Sequence, residues 1–97
     1  MITFLVGISA VCIGLNTRDV REFEKLLRAN HDVPSHARAV VLRDSPRCRR
    51  IAAAAGYAER RVSVLQMGGL YAVIFADELL VLDRQLRVVP AQGRRPR

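Results

Sequence analysis

The amino-acid sequence lacks most of the features from which a function is commonly inferred. It contains no tryptophan, 5% aromatic residues and two cysteines. Two cysteines are too few for the disulfide framework of a small secreted domain. No catalytic or metal-binding motif stands above the frequency expected by chance. These absences leave the distribution of charged and apolar residues as the main evidence for structure and function.

The basic residues are almost all of one type, since Lys25 is the only lysine beside fifteen arginines. A GC-rich genome would explain that ratio. It would not explain a net charge of +7 and an isoelectric point of about 11.0. Arginine makes planar, bidentate contacts with phosphate and carboxylate groups. The charge therefore predicts an anionic partner: a nucleic acid, an anionic membrane surface or an acidic protein.

The longest apolar run covers residues 1 to 15, MITFLVGISAVCIGL. This run is shorter than the roughly 20 residues of a membrane-spanning helix. No basic residue precedes it, as one would in a secretory signal. Its β-branched residues instead predict a strand that is buried on both faces. We therefore expect no membrane span.

The order of the apolar patterns predicts an α/β or α+β fold with a mixed sheet and two helices packed on it. One helix is expected to begin at Asn16 or Thr17, and a second between Ser45 as N-cap and Gly56 as stop signal. Strands are predicted at residues 39–43 and, in a C-terminal antiparallel meander, at residues 61–67, 70–76, 78–82 and 86–89. We expect one domain over residues 1–90 and a flexible basic tail over residues 91–97.

The segment from Ala39 to Gly56 contains the clearest candidate site. A short strand turns at Asp44 into a helix whose first turn carries three arginines. Arginines at the positive end of a helix dipole are repelled by it unless an anion binds there. The pattern therefore predicts a phosphate site, with a solvated arginine face as the alternative. The predicted anion- or nucleic-acid-binding residues are Arg43, Ser45, Arg47, Arg49, Arg50, Arg60 and Arg61.

The two cysteines each lie within an apolar pattern. Cys12 and Cys48 are expected to be buried free thiols in a reducing compartment, which favours a cytoplasmic location. Cys12 and Cys48 with His31 and His36 would also supply two cysteines and two histidines for zinc. No pair among them has the close spacing of such sites. We predict no metal and no cofactor.

The segment from Cys12 to Arg18, CIGLNTR, places five residues between a cysteine and an arginine. It resembles the phosphate loop of cysteine phosphatases, in particular the low-molecular-weight tyrosine phosphatases. The resemblance implies that a Cys12 thiolate attacks the phosphate while Arg18 holds it. Asp19 follows where that family has Ser or Thr.

A second resemblance involves the predicted meander. The segments GLYAVIF, from Gly69 to Phe75, and DELLVL, from Asp77 to Leu82, are similar to two strands of the RelE/ParE superfamily of toxins. This resemblance implies a small basic α+β fold that acts on ribosome-bound mRNA or on gyrase. Ala72 stands where that family usually has arginine.

These features favour a small basic, non-enzymatic nucleic-acid-binding module. Binding would depend on phosphate contacts and show weak sequence preference, since only Tyr57 and Tyr71 offer stacking faces. The alternative is a structural or interaction protein with an assembly or regulatory role. It would pair through its apolar sheet with itself, as a homo-oligomer, or with an acidic partner. An enzyme is the less favoured class.

Overall fold

Five strands and two helices form residues 11–90, the part of the chain that the computed structural model describes. In chain order they are β1 (Val11–Cys12), α1 (Thr17–Asn30), β2 (Val40–Val41), α2 (Pro46–Ala54), β3 (Arg61–Met67), β4 (Leu70–Phe75) and β5 (Glu78–Leu82). The predicted fold class, a mixed sheet with two helices, is confirmed as α+β.

Strand β3 organises the sheet because it pairs along both edges. One edge pairs antiparallel with β4, which pairs antiparallel with β5. The other edge is shared by two short strands. Strand β1 runs parallel to β3 with Val11 opposite Arg61, and β2 runs antiparallel with Val40 opposite Gln66.

Both helices begin at the residues that their sequences predict. Asn16 caps α1, since its side chain accepts a hydrogen bond from the N–H of Asp19 at 2.8 Å. Ser45 caps α2 and Pro46 occupies the first turn, where its missing N–H has no cost. The chain leaves α2 through Gly56, whose φ of 97° lies in the left-handed region that glycine adopts readily.

The two helices cover opposite faces of the sheet. On one face, Ile51 and Ala52 of α2 pack on a cluster that includes Val64. On the other, Leu27 of α1 packs with Leu65 and other residues of a second cluster. Because side chains of a strand alternate between faces, Val64 and Leu65 belong to different layers of the core.

Three predicted strands differ in the structure. The strand predicted at residues 39–43 is limited to Val40–Val41. Strand β1 has two residues. Val11 within it and Ile13 just after it are each 38% exposed, so the predicted burial on both faces does not hold there. The rest of that prediction, residues 1–10, lies outside the described residues, as does the predicted tail at 91–97. Residues 86–89 form a single bridge, Leu82 with Val88. The positive φ of Leu86, 64°, breaks the extended conformation that a strand needs.

The prediction of free thiols is wrong, because Cys12 and Cys48 form a disulfide. The bond joins β1 to the inward face of α2, and both cysteines are buried. The predicted burial of each cysteine is confirmed. Their proximity depends on how α2 packs against β1, which the pattern of neither segment reveals.

Candidate nucleic-acid interface

The start of α2, where we predicted a phosphate site, uses part of its hydrogen-bonding capacity internally. Pro46 has no N–H, and the N–H of Cys48 donates to Ser45 Oγ at 3.1 Å. The N–H of Arg49 makes the first helical bond, to the carbonyl of Ser45 at 2.9 Å. An anion would therefore find at most the N–H groups of Ser45 and Arg47. Any anion contact here must come mainly from side chains.

Arg49 is paired with a carboxylate. Its Nε lies 3.1 Å from Asp44 Oδ1, and its terminal nitrogen lies 3.0 Å from Asp44 Oδ2. The same carboxylate accepts the N–H of Cys12 at 3.1 Å. The hydrogen bond from Arg49 and then that from Cys12 lower the pKa of Asp44 to about 2. Asp44 is thus charged at neutral pH and compensates the charge of Arg49.

Arg47 extends from the same helix turn toward β4 and meets only neutral groups there. Its terminal nitrogen donates to the Tyr71 hydroxyl at 2.8 Å and to Gln66 Oε1 at 3.4 Å. Its guanidinium carbon lies 5.5 Å from the centroid of the Tyr71 ring, within the range of a cation–π contact. These partners hold the side chain in place without compensating its charge.

The other end of β4 carries a similar arrangement. The guanidinium carbon of Arg60 lies 5.6 Å from the centroid of the Phe75 ring. The Tyr57 ring contacts Phe75 with 5.1 Å between centroids. The Tyr57 hydroxyl donates to Glu78 Oε1 at 2.5 Å, and this hydrogen bond raises the pKa of Tyr57. Glu78 therefore places one carboxylate at this end of the strand.

The seven predicted site residues do not form one cluster. Arg43 and Arg50 are exposed, and Arg50 shares the side of α2 that carries Arg47, three residues earlier. Arg61 lies on the α1 face of the sheet, because its neighbour Val62 belongs to the α2-side core. Arg47 and Arg60 thus lie near opposite ends of β4 on the α2 side of the sheet, whereas Arg49 pairs with Asp44.

One surface combines charge with aromatic rings. It consists of Arg47 and Arg60, which are exposed, and of Tyr57, Tyr71 and Phe75, which are half-buried. We call these five residues the arginine–aromatic surface. Both arginines were predicted as site residues and both tyrosines as stacking faces, whereas Phe75 was not singled out.

The position of Phe75 could have been found from the sequence. It lies four residues after Tyr71 in a predicted strand, and side chains an even number of residues apart share a face. The positions of the two arginines above these rings could not be predicted from the sequence pattern. Arg47 comes from α2 and Arg60 from the segment after it, and only the packing of α2 on the sheet brings them to β4.

The disulfide bears on two further interpretations. A phosphatase needs a thiolate at Cys12, and a zinc site needs thiolates at Cys12 and Cys48. The disulfide leaves neither sulfur as a thiolate. Within residues 11–90, no three His, Cys, Asp or Glu side chains come together as metal ligands.

Comparison with family models, with curated proteins and with solved structures found no match to this chain. Neither the phosphatase resemblance nor the toxin resemblance thus gains support from a relative.

Proposed function

We propose that the protein is a small basic nucleic-acid-binding module without catalytic activity. Phosphate groups contact arginine side chains on the arginine–aromatic surface and around the start of α2. Guanidinium groups supply most of these contacts, since few backbone N–H groups at the start of α2 are free. The contacts are to the backbone, so the sequence preference is weak.

The supporting observation is that Arg47 and Arg60 are exposed and contact neutral groups. The ion pairs within residues 11–90 are Arg28–Glu24, Arg49–Asp44 and Arg87–Asp83. All nine acidic residues of the chain lie in this range. Arg47 and Arg60 therefore have no carboxylate partner among the acids and keep their charge for a phosphate.

The dependence of affinity on salt tests this proposal. A protein that neutralises phosphates releases counterions, so affinity falls steeply as salt rises. Arg47→Gln and Arg60→Gln should each weaken binding and reduce the slope of log affinity against log salt by about one. Arg21→Gln, which removes the same charge from the outer side of α1, serves as the matched control. An affinity for DNA and RNA that stays constant between low and physiological salt would overturn the proposal.

A second candidate is an assembly protein that pairs with another copy of itself. Helices cover both faces of the sheet in residues 11–90, but a groove remains along α1, lined by Leu26, which is 42% exposed. A cavity of about 420 Å³ lies between α1 and the end of β4, and one of about 440 Å³ lies between α1 and β5. Burying such apolar surface favours association. If this candidate is correct, sedimentation experiments should show a dimer that does not bind nucleic acid. The variant Leu26→Lys should then be monomeric.

The proposed function also depends on the cellular location of the protein. Neither helix in residues 11–90 has the length and apolar character to cross a membrane. A cytoplasmic location stays a prediction, and the disulfide weighs against it, since disulfides persist mainly in oxidising compartments. Alkylating thiols during cell lysis and weighing the protein by mass spectrometry measures whether Cys12 and Cys48 are paired in vivo.

A further inference from the structure

The arginine–aromatic surface has a feature that phosphate binding alone does not require. Each of its two arginines lies over a ring of β4, Arg47 over Tyr71 and Arg60 over Phe75. Both rings project from the same face of one strand, four residues apart, which corresponds to about 13 Å. Both are partly accessible to solvent.

We infer that this surface binds single-stranded nucleic acid, with a base stacked on Tyr71. This inference rests on the proposed function and specifies its ligand. The guanidinium of Arg47 leaves the ring face for the adjacent phosphate, and the base takes its position. A cation–π contact is thus exchanged for a charge-assisted phosphate contact and a stacked base.

A double helix does not fit this exchange. The faces of its bases are stacked on one another, so only their edges reach a protein. A single strand presents base faces and backbone together. Proteins that bind single strands combine aromatic rings with nearby cations in this way.

The two ends of β4 differ, and the difference selects Tyr71 as the main stacking ring. At the far end, Glu78 lies opposite Phe75 in the sheet and accepts the hydroxyl of Tyr57. Its carboxylate repels a phosphate there. Beside Tyr71, the contacts of Arg47 are to neutral groups, and no carboxylate is hydrogen-bonded to the ring's hydroxyl.

Tyrosine fluorescence reports directly on this stacking. The chain has two tyrosines and no tryptophan, so all tyrosine fluorescence of the Tyr57→Phe variant comes from Tyr71. We expect oligothymidylate of about 12 nucleotides, within the usual site sizes, to quench the Tyr71 emission of this variant. Heparin and a DNA duplex, which supply charge without free base faces, should bind without quenching.

Affinity measurements on full-length Tyr71→Leu and Tyr71→Phe variants provide the second readout. Loss of the ring should weaken binding of the oligothymidylate about fivefold or more and should weaken binding of duplex and heparin much less. Tyr71→Phe keeps the ring and loses the hydroxyl, so it should bind like the parent. Thermal unfolding of each variant shows whether the fold is retained.

The outcomes separate this inference from the proposed function. Salt-dependent binding of all three polyanions, with no quenching and no effect of Tyr71→Leu, overturns the single-strand inference and leaves phosphate binding intact. An equal loss in Tyr71→Leu and Tyr71→Phe assigns the effect to the hydroxyl and also overturns stacking. The absence of nucleic-acid binding altogether overturns the proposed function, and the inference with it.

Discussion

The N–H of Cys12 donates to the Asp44 carboxylate at 3.1 Å, although 32 residues separate them. Strands β1 and β2 meet end to end along one edge of β3, and Asp44 follows β2 closely. Because Val11 and Ile13 direct their N–H groups toward the β3 side, the N–H of Cys12 points to the open edge of β1, and the Asp44 carboxylate is its acceptor there. The same group then holds Arg49. One side chain thus joins β1 to the start of α2.

Stability should fall in acid as Asp44 takes up a proton. Its pKa is lowered from 3.8 to about 2, so the folded state binds the proton less readily than the unfolded chain. The contribution of Asp44 is present above pH 3.8 and is lost as the pH falls through about 2. Urea unfolding of the parent and of Asp44→Asn measures this difference. The parent should be the more stable at neutral pH, and the two should converge in acid.

A control variant removes the main cause of that shift. Arg49→Gln takes away the hydrogen bond that lowers the pKa of Asp44 most. Its unfolding profile should therefore depend less on acid pH than that of the parent. Identical profiles for the parent and both variants would contradict the role given to Asp44.

The disulfide should provide a large part of the stability. It joins residues 36 apart in sequence, and cross-linking a loop of that length stabilises by about 4 kcal/mol in the chain-entropy treatment. Urea unfolding with and without reductant measures the contribution. The double variant Cys12→Ala with Cys48→Ala should match the reduced parent and should not respond to reductant. A parent protein whose urea unfolding midpoint is the same with and without reductant would contradict the prediction.

Two adjacent leucines of α1 should respond very differently to truncation. Leu27 is 1% exposed and belongs to the core on the α1 face, whereas Leu26 is 42% exposed. Leu27→Ala should lower the free energy of unfolding by about 2–5 kcal/mol, since it leaves a cavity. Leu26→Ala should change it by about 0.5 kcal/mol or less. Equal losses would show that Leu26 is covered, as self-association through the groove would require.

The ionisation of Tyr57 should depend on Glu78. The hydrogen bond to Glu78 raises the pKa of Tyr57, because a charged phenolate would lose that bond and face the carboxylate. In Tyr71→Phe, alkaline titration of tyrosine absorbance follows Tyr57 alone. Adding Glu78→Gln should lower its pKa toward the ordinary value. An unchanged titration curve would place the two groups apart in solution.

Glu78→Gln has a second expected consequence. It removes the carboxylate beside Phe75, so a single strand should bind more tightly than it does to the parent, with the largest difference at low salt. Asp32→Asn, which removes an exposed acid from the loop after α1, is the charge-matched control. Equal gains in both variants would indicate a general effect of net charge.

Local signals predicted the elements well. Ser45 and Pro46 set the start of α2 through capping, and Gly56 sets its end through backbone freedom. The turn at Gly68 separates β3 from β4, and Gly68 has the positive φ that such a turn requires. These features depend on neighbouring residues only, which is why the sequence reveals them.

Features that depend on packing were not predicted. The pairing of Cys12 with Cys48 requires α2 to lie against β1. Helical spacing predicts that Arg49 points away from Arg47, but not that Arg47 contacts Tyr71 and Arg49 contacts Asp44. Leu86 ends the meander early because its side chain packs on the α2-side core with the backbone at positive φ. None of these contacts is encoded by a local pattern.

The parallel pairing of β1 has a consequence for the order of folding. The meander from β3 to β5 is built from neighbouring hairpins, which form quickly because little chain has to be brought together. Val11 pairs with Arg61, which lies about half the chain length away in sequence, so β1 is expected to join the sheet last. The rate at which Cys12 and Cys48 form their disulfide during refolding would then report when β1 joins the sheet.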